Sequence, residues 1–307
     1  MPMECARNAT GVYSPLTDTI GWEIPIPPTR QRNALSVRWD GLETVDRQIA
    51  EETPVAIGYN GFPYAVMMAT PSDLEDFGIG FSITEQVVSH PSQILNLEIR
   101  PEDLGVRLSI TIDKGCLRDR LIQRQRNVTG RTGCGLCGVR QLEDAVLRLP
   151  LVAPGEPIHS AAIWAALNDL PSGQALNAET HAMHAAAWAA PGGHLLAIRE
   201  DVGRHNALDK LAGAMASAAL NPRSGFCVIT SRCSYEMVQK AALAGISVIV
   251  AISAPTELAI QQAEAAGVTL AALARSDGFA VYSHYERITS PRTPRPVSIP
   301  LNESKEG

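Results

Sequence analysis

From residue 158 onward, short apolar runs alternate with segments of helical spacing, and that alternation leaves few folds open. Phe226–Thr230, Val248–Ile252 and Val268–Ala272 are continuous apolar runs of strand length. Between them, Tyr235–Leu243 and Glu257–Ala266 space their apolar residues as helices do. A strand is expected at His194–Arg199, then a helix from Asn206 to Leu220 with Asn206 as its cap, and a last short strand at Phe279–Tyr282. Ala161–Leu170 and Ala182–Ala190 also read as helices. Strands with no polar alternation must be covered on both faces, so the pattern predicts an α/β layer around a largely parallel sheet.

The first half reads differently. Residues 1–33 are rich in Pro and turn formers and are expected to be extended or disordered. Ser36–Trp39 and Val55–Tyr59 read as strands. Asn60-Gly61 marks a tight hairpin into Tyr64–Ala69, because both turn positions require positive φ. Ser72 and Glu75 have the spacing of a capping box, opening a helix to about Val88. Two further strands are expected at Leu95–Arg100 and Val106–Ile112, then a long polar loop from Lys114 to Gly138 and a helix from Val139 to Leu149. The expected division is therefore an α+β domain over residues 34–150, a linker at Pro150–Pro157, an α/β domain over 158–288, and a Pro-rich disordered tail at 289–307.

A chain of 307 residues can build cores for two such domains. Its net charge of −6 and its aromatic content of 5% argue against a general nucleic-acid binder, which would be basic and carry stacking platforms. Six cysteines are too few for a disulfide-stapled scaffold, and the first residues contain no apolar signal segment. The most apolar window, Leu243–Ala254, is too short to span a bilayer. A cytoplasmic protein with reduced thiols is expected, without membrane partners.

Only Cys134 and Cys137 form a close pair, within Gly133-Cys-Gly-Leu-Cys-Gly138. Such a pair suits half a zinc site, a redox dithiol or sulfur handling. No second pair at zinc spacing follows, although His181 and His184 could complete a four-ligand set. A thioredoxin-like pair should open a helix after a strand, and this one ends a Gly-rich loop. Its surroundings favour a reactive thiol: Lys114 to Arg140 holds seven basic residues against Asp119 alone, and nearby cations favour thiolate. A solvated basic loop is the plainer alternative.

The α/β half has polar residues at successive strand-to-helix turns. Asp201, Gly203, Arg204, His205 and Asn206 follow one strand, and Ser231 and Arg232 follow the next. Ser253-Ala-Pro-Thr256 follows a third. These turns sketch one pocket rim beyond the strand ends, where α/β sheets bind ligands. A helix N-terminus with Arg204 would favour a phosphate. The plainer reading is an Asn206 cap with an Asp201–Arg204 ion pair. Phe279, Ala280, Val281, Tyr282, Ser283 and His284 form an aromatic run that by itself reads as an edge strand. There is no Gly-rich dinucleotide fingerprint and no P-loop.

Glu52-Thr-Pro-Val55, Met67-Met-Ala-Thr-Pro71, Gly80-Phe81, the Cys134/Cys137 motif, Asp201–Asn206 with Asp209-Lys210, Ser231–Met237 and Ser253–Thr256 occur in an order that resembles the FdhD family of formate dehydrogenase accessory sulfurtransferases. The likeness runs from about residue 35 to 288. It implies a sulfur carrier that accepts persulfide sulfur from a cysteine desulfurase. The sulfur then passes to the molybdenum bis(molybdopterin guanine dinucleotide) cofactor needed by formate dehydrogenase. It implies Cys134 as the carrier, with Cys137 assisting release or carrying sulfur itself. Phe279–His284 is implied as a cofactor-binding stretch, with the Asp201–Asn206 and Ser231-Arg232 turns completing one pocket. A cytidine-deaminase-like three-layer C-terminal domain and a homodimer are also implied, with no tightly held metal. One departure is His181 in Thr180-His-Ala-Met-His184-Ala185, where the family has Gly. The rival readings are a non-catalytic cofactor-binding chaperone and a zinc-dependent deaminase-like enzyme.

Overall fold

A computed structural model describes residues 26–113 and 148–290. The expected helix at Val139–Leu149 begins outside these residues, and Cys134 and Cys137 also lie outside them.

The chain begins with an antiparallel ribbon of β1 (Thr29–Arg38) and β2 (Gly41–Ala50). Next come β3 (Thr53–Tyr59) and β4 (Phe62–Ala69). Their connection is the expected Asn60-Gly61 turn, with φ of 49° and 84°. Helix α1 (Leu74–Thr84) follows, then β5 (Ile94–Glu102) and β6 (Gly105–Ile112). Strands β3–β6 form a sheet in the order β4-β3-β6-β5. Burial alternates along β3, and Val55, Ile57 and Tyr59 face Phe77 and Phe81 of α1 in one core. The expected capping box does not form. Asp73 is the N-cap, in the left-handed region, and makes no side-chain cap bond. Ser72 Oγ is buried without a partner. The helix also ends at Thr84 rather than Val88, where the N–H groups of Val87 and Val88 both turn back to Ser82 O.

The second half starts with β7 (Ile158–His159), α2 (Ser160–Asp169) and α3 (Ala175–Thr180). It continues with β8 (His184–Ala189), β9 (Leu195–Asp201), α4 (Arg204–Ser217) and β10 (Phe226–Ile229). Then come α5 (Tyr235–Leu243), β11 (Val248–Ala251), α6 (Glu257–Ala266), β12 (Thr269–Arg275), β13 (Gly278–Val281) and β14 (Ile288–Thr289). The sheet order is β13-β12-β11-β10-β8-β9. Strands β9 to β12 point the same way, while β8 and β13 run against them. The sheet is thus mixed, with parallel pairing confined to β10-β11-β12. Cys227, Ile229, Ile249 and Leu270 face the layer of α4, α5 and α6. Phe226, Val228, Val250 and Ala271 face α2, which makes three layers.

Residues 182–190, expected as a helix, instead hold β8. Alanine favours helix intrinsically, but Ala186 and Trp188 pack on one sheet face and Ala187 and Ala189 on the other, so tertiary burial overrides propensity. Helix α4 begins two residues before the expected Asn206 cap, with Gly203 as N-cap.

Helix α1 lies along α4 and joins the two sheets. Gly80 and Gly213 make the crossing possible. A Cβ on Gly80 would sit 1.7 Å from Asp209 O, and one on Gly213 would sit 1.9 Å from Asp76 O. The backbones touch where any side chain would separate them.

Candidate functional site at the strand carboxyl ends

Because β9 to β12 run the same way, the β9–α4, β10–α5 and β11–α6 turns all open on one edge of the sheet. The expected polar turns therefore do share an edge. Their side chains divide into two groups.

The first group is an internal brace. The Asp201 carboxylate is fully buried and lies 2.7 Å from Lys210 Nζ, which is also fully buried. Asp201 also accepts from Thr70 N (2.9 Å), Gly203 N (2.8 Å) and Asn206 Nδ2 (2.9 Å). Lys210 Nζ donates to Thr70 O at 2.9 Å and to Glu200 O at 3.3 Å. Asn206 Nδ2 donates to Met68 O at 2.7 Å. The motif thus clamps the end of β4 onto α4. Asp201 pairs with Lys210, not with Arg204 as the plainer reading expected.

A second buried pair sits one turn along. Lys240 Nζ lies 2.9 Å from Asp209 Oδ1, and Thr84 Oγ1 donates to that oxygen at 2.5 Å. Burial raises the Asp209 carboxyl above its ordinary range, while Lys240 and Thr84 oppose the rise. Burial pulls the Lys240 ammonium down, but Asp209 and Glu85 together outweigh it and hold Lys240 charged.

The second group faces the edge. His205 Nε2 lies 2.9 Å from Glu236 Oε2 but out of line for a hydrogen bond. Arg204 Nε and Ser234 Oγ are buried without a protein partner. Neither Gly203 nor Ser234 supplies a side-chain cap, so α4 and α5 both begin with uncapped N–H groups. Burial, and then the charges of Arg204 and His205, holds His184 below the usual histidine range, so its ring is neutral at pH 7. Ser231 is buried and donates to Arg232 O at 3.0 Å, while the Arg232 side chain is exposed. Uncapped helix N-termini beside guanidinium groups suit an oxyanion such as a phosphate.

Phe279–His284 starts at this edge and leaves it. Phe279 and Val281 face α2, and the Phe279 ring lies 5.7 Å from that of Trp164. Ala280 pairs with Ala272. Tyr282 N donates to Leu270 O. Ser283 Oγ donates to Val268 O at 2.8 Å and accepts from Leu270 N at 3.0 Å. His284 Nε2 lies 3.1 Å from Glu264 O. The stretch ends at the opposite sheet edge, and β13 and β9 are the two outermost strands. Five interstrand gaps place them roughly 24 Å apart. Within one chain the structure brings Asp201–Asn206 and Ser231-Arg232 together, and it does not bring Phe279–His284 into the same pocket.

Of the described cysteines, Cys227 and Cys233 are both buried free thiols. Burial pushes Cys233 up to about 12 and raises Cys227 further. Both stay protonated at neutral pH. Among the described residues no three His, Cys, Asp or Glu side chains form a metal cluster, and no helix is long and apolar enough to cross a membrane. His181 caps α3 from the left-handed region.

Thr70, Glu85 and Lys240 were not singled out for this architecture by sequence. Lys240 left a trace, as a cation beside the apolar stripe of Met237, Val238 and Ala241. Thr70 left none.

A model of the FdhD/NarQ family matches residues 50–289. The chain is 47% identical to the sulfur carrier protein FdhD of Bordetella petrii, over 81% of this chain and 89% of that one. It is also 47% identical to the protein of that name from Cupriavidus necator, over 85% of this chain and 91% of the relative. A crystal structure assigned as a formate dehydrogenase accessory protein from Desulfotalea psychrophila superposes with a TM-score of 0.69 at 27% identity, covering 86% of this chain and all of the other.

Proposed function

Because the chain belongs to the FdhD/NarQ family, we propose that it is a sulfur carrier serving formate dehydrogenase and that Cys134 bears the sulfur. The observation that carries the residue assignment is the state of the two described thiols; Cys5 and Cys116 lie outside the described residues. Cys227 and Cys233 are sealed in the core as neutral thiols, and a neutral buried thiol is neither nucleophile nor acceptor. In sequence the Cys134/Cys137 pair, unlike Cys227 and Cys233, lies in a stretch with seven basic residues.

The loading step is thiol exchange. The Cys134 thiolate attacks the terminal sulfur of a cysteine desulfurase persulfide. The new S–S bond forms on Cys134, and the desulfurase cysteine leaves as thiolate. Release is balanced if the Cys137 thiolate attacks Cys134 Sγ, forming a Cys134–Cys137 disulfide and expelling hydrosulfide.

The acceptor in this reading is the molybdenum bis(molybdopterin guanine dinucleotide) cofactor, held as cargo. The orphaned Arg204 Nε and Ser234 Oγ, with two uncapped helix N-termini, fit one of its phosphates. Phe279–His284, across the sheet, is a second candidate contact, and a cofactor with two nucleotide arms is the kind of ligand that can reach both. A homodimer working in a reducing cytoplasm completes the proposal.

The test is mass spectrometry after incubation with cysteine and a loaded desulfurase. The expected result is a 32-dalton increment (about one sulfur) on Cys134, lost in Cys134→Ala together with formate dehydrogenase maturation. A Cys134→Ala protein that still matures the enzyme would overturn Cys134 as the carrier, and a Cys134→Ala/Cys137→Ala protein that does so would leave only the chaperone reading.

A further inference from the structure

The β1–β2 ribbon belongs to neither core. Its strands pair along their whole length, from Thr29↔Ala50 to Arg38↔Gly41, and form a sheet of their own. Ten residues of strand make it roughly 34 Å long. None of its residues is buried, and helix α3 lies along β2 as its support. A lone two-stranded ribbon is marginally stable in water, and stability comes with further strands around an apolar face.

The register sorts the side chains, because cross-strand partners share a face. Ala34 pairs with Val45 and Ser36 with Glu43. On this face Ser36 and Val45 are half-buried. The opposite face carries Leu35, Val37 and, across from Val37, Leu42. These three are between 62% and 73% exposed, and Trp39, in the turn between the strands, is 98% exposed. Together the four present roughly 500 Å² of apolar side chain, the size at which a patch marks an interaction site.

Two features point to a second copy of this chain as the occupant. Residues 29–50 hold four arginines against Asp40, Glu43 and Asp46, a net +1 in a chain of −6. Acidic copies repel one another as wholes, and the ribbon is a near-neutral stretch where they can meet. The area also fits. Two such patches face to face bury roughly 1,000 Å² of apolar surface, and the polar rim of Asn33, Thr44 and Asp46 on the same face carries the total into the range of a specific interface. The stack sets four strands around one apolar layer, which is what the lone ribbon lacks.

We propose that the ribbon is the association arm of this chain: two copies stack Leu35, Val37, Trp39 and Leu42 against each other about a two-fold axis. The proposal rests on the homodimer of the proposed function and names the surface that makes it.

Sedimentation velocity on the full chain is the test. The wild type should sediment as a dimer at micromolar concentration. Val37→Lys/Leu42→Lys should raise the dissociation constant about 100-fold. Its far-UV circular dichroism should stay unchanged, since neither side chain belongs to a core. Trp39→Ser should weaken association about tenfold. Leu104→Lys, at a leucine 88% exposed outside the ribbon, should leave it unchanged. A monomeric wild type would overturn the homodimer and the arm together. A dimer that survives Val37→Lys/Leu42→Lys, or that Leu104→Lys weakens as much, would overturn the arm and leave the homodimer standing.

Discussion

Replacing either member of the Asp201–Lys210 pair should destabilise the fold, and by unequal amounts. Both side chains are fully buried, with 2.7 Å between charges, so neither can be rescued by water. In Lys210→Met the Asp201 carboxylate keeps three donors, from Thr70, Gly203 and Asn206. The residual charge is well solvated by the protein, and the cost should sit near the lower end for a broken buried pair, about 3 kcal/mol. In Asp201→Ala the Lys210 ammonium keeps only the carbonyls of Thr70 and Glu200. The N–H groups of Thr70 and Gly203 lose Asp201 as acceptor, at about 1–3 kcal/mol each if left unpaired. Together with the lost pair, at about 3 kcal/mol, this comes to about 5–9 kcal/mol, comparable with the whole stability of an ordinary domain. Urea unfolding followed by far-UV circular dichroism and by tryptophan fluorescence measures both. Equal costs, or a Lys210→Met variant within about 0.5 kcal/mol of wild type, would show that the brace is not what fastens β4 to α4.

Gly80→Ala should prevent normal folding or lower the melting temperature sharply, since the new methyl would lie 1.7 Å from Asp209 O; an unchanged melt would remove the close-crossing explanation. Gly61→Ala, at φ 84°, should cost about 1 kcal/mol by the same unfolding assay. His184 has a folded pKa depressed below its unfolded value, so its contribution is present above about pH 6.5 and is lost as pH falls through the folded value. His184→Gln should flatten that acid limb of the stability–pH profile, and a profile identical to wild type would contradict the assignment. Iodoacetamide should leave Cys227 and Cys233 unlabelled in the native protein and label both in urea, read by peptide mass spectrometry; labelling in the native state would undo the assignment of sulfur transfer to the Cys134/Cys137 pair.

Where the hydrophobic pattern alone decides an element, the sequence was enough. Helices α5 and α6 have the expected limits, and Asn60-Gly61 makes the expected turn. It fell short where tertiary contact decides. The alanine run of β8 carries no strand signal of its own and becomes a strand because both of its faces are covered. Ser72 has the right spacing for a cap, yet Thr70, held by Asp201 and Val202, fixes the chain before α1. The polar Asp201–Asn206 turn read either as a ligand-binding rim or as an Asn206 cap with an Asp201–Arg204 ion pair. Asp201 and Asn206 are interior fasteners, and only Arg204 and His205 are left for the edge. No local pattern tells these roles apart, because the Thr70 and Met68 partners lie more than a hundred residues away.

The glycine crossing of α1 and α4 has a consequence for how the chain can be taken apart. Among the described residues, the two sheets are fastened by backbone touching backbone and by Thr70, Thr84 and Glu85, which reach from the first half into two sealed ion pairs of the second. None of these contacts is made by residues 114–147. Residues 26–113 and 148–290 supplied as separate polypeptides should find one another and dock. The stretch between them that holds Cys134 and Cys137 could then be exchanged, lengthened or grafted from a relative.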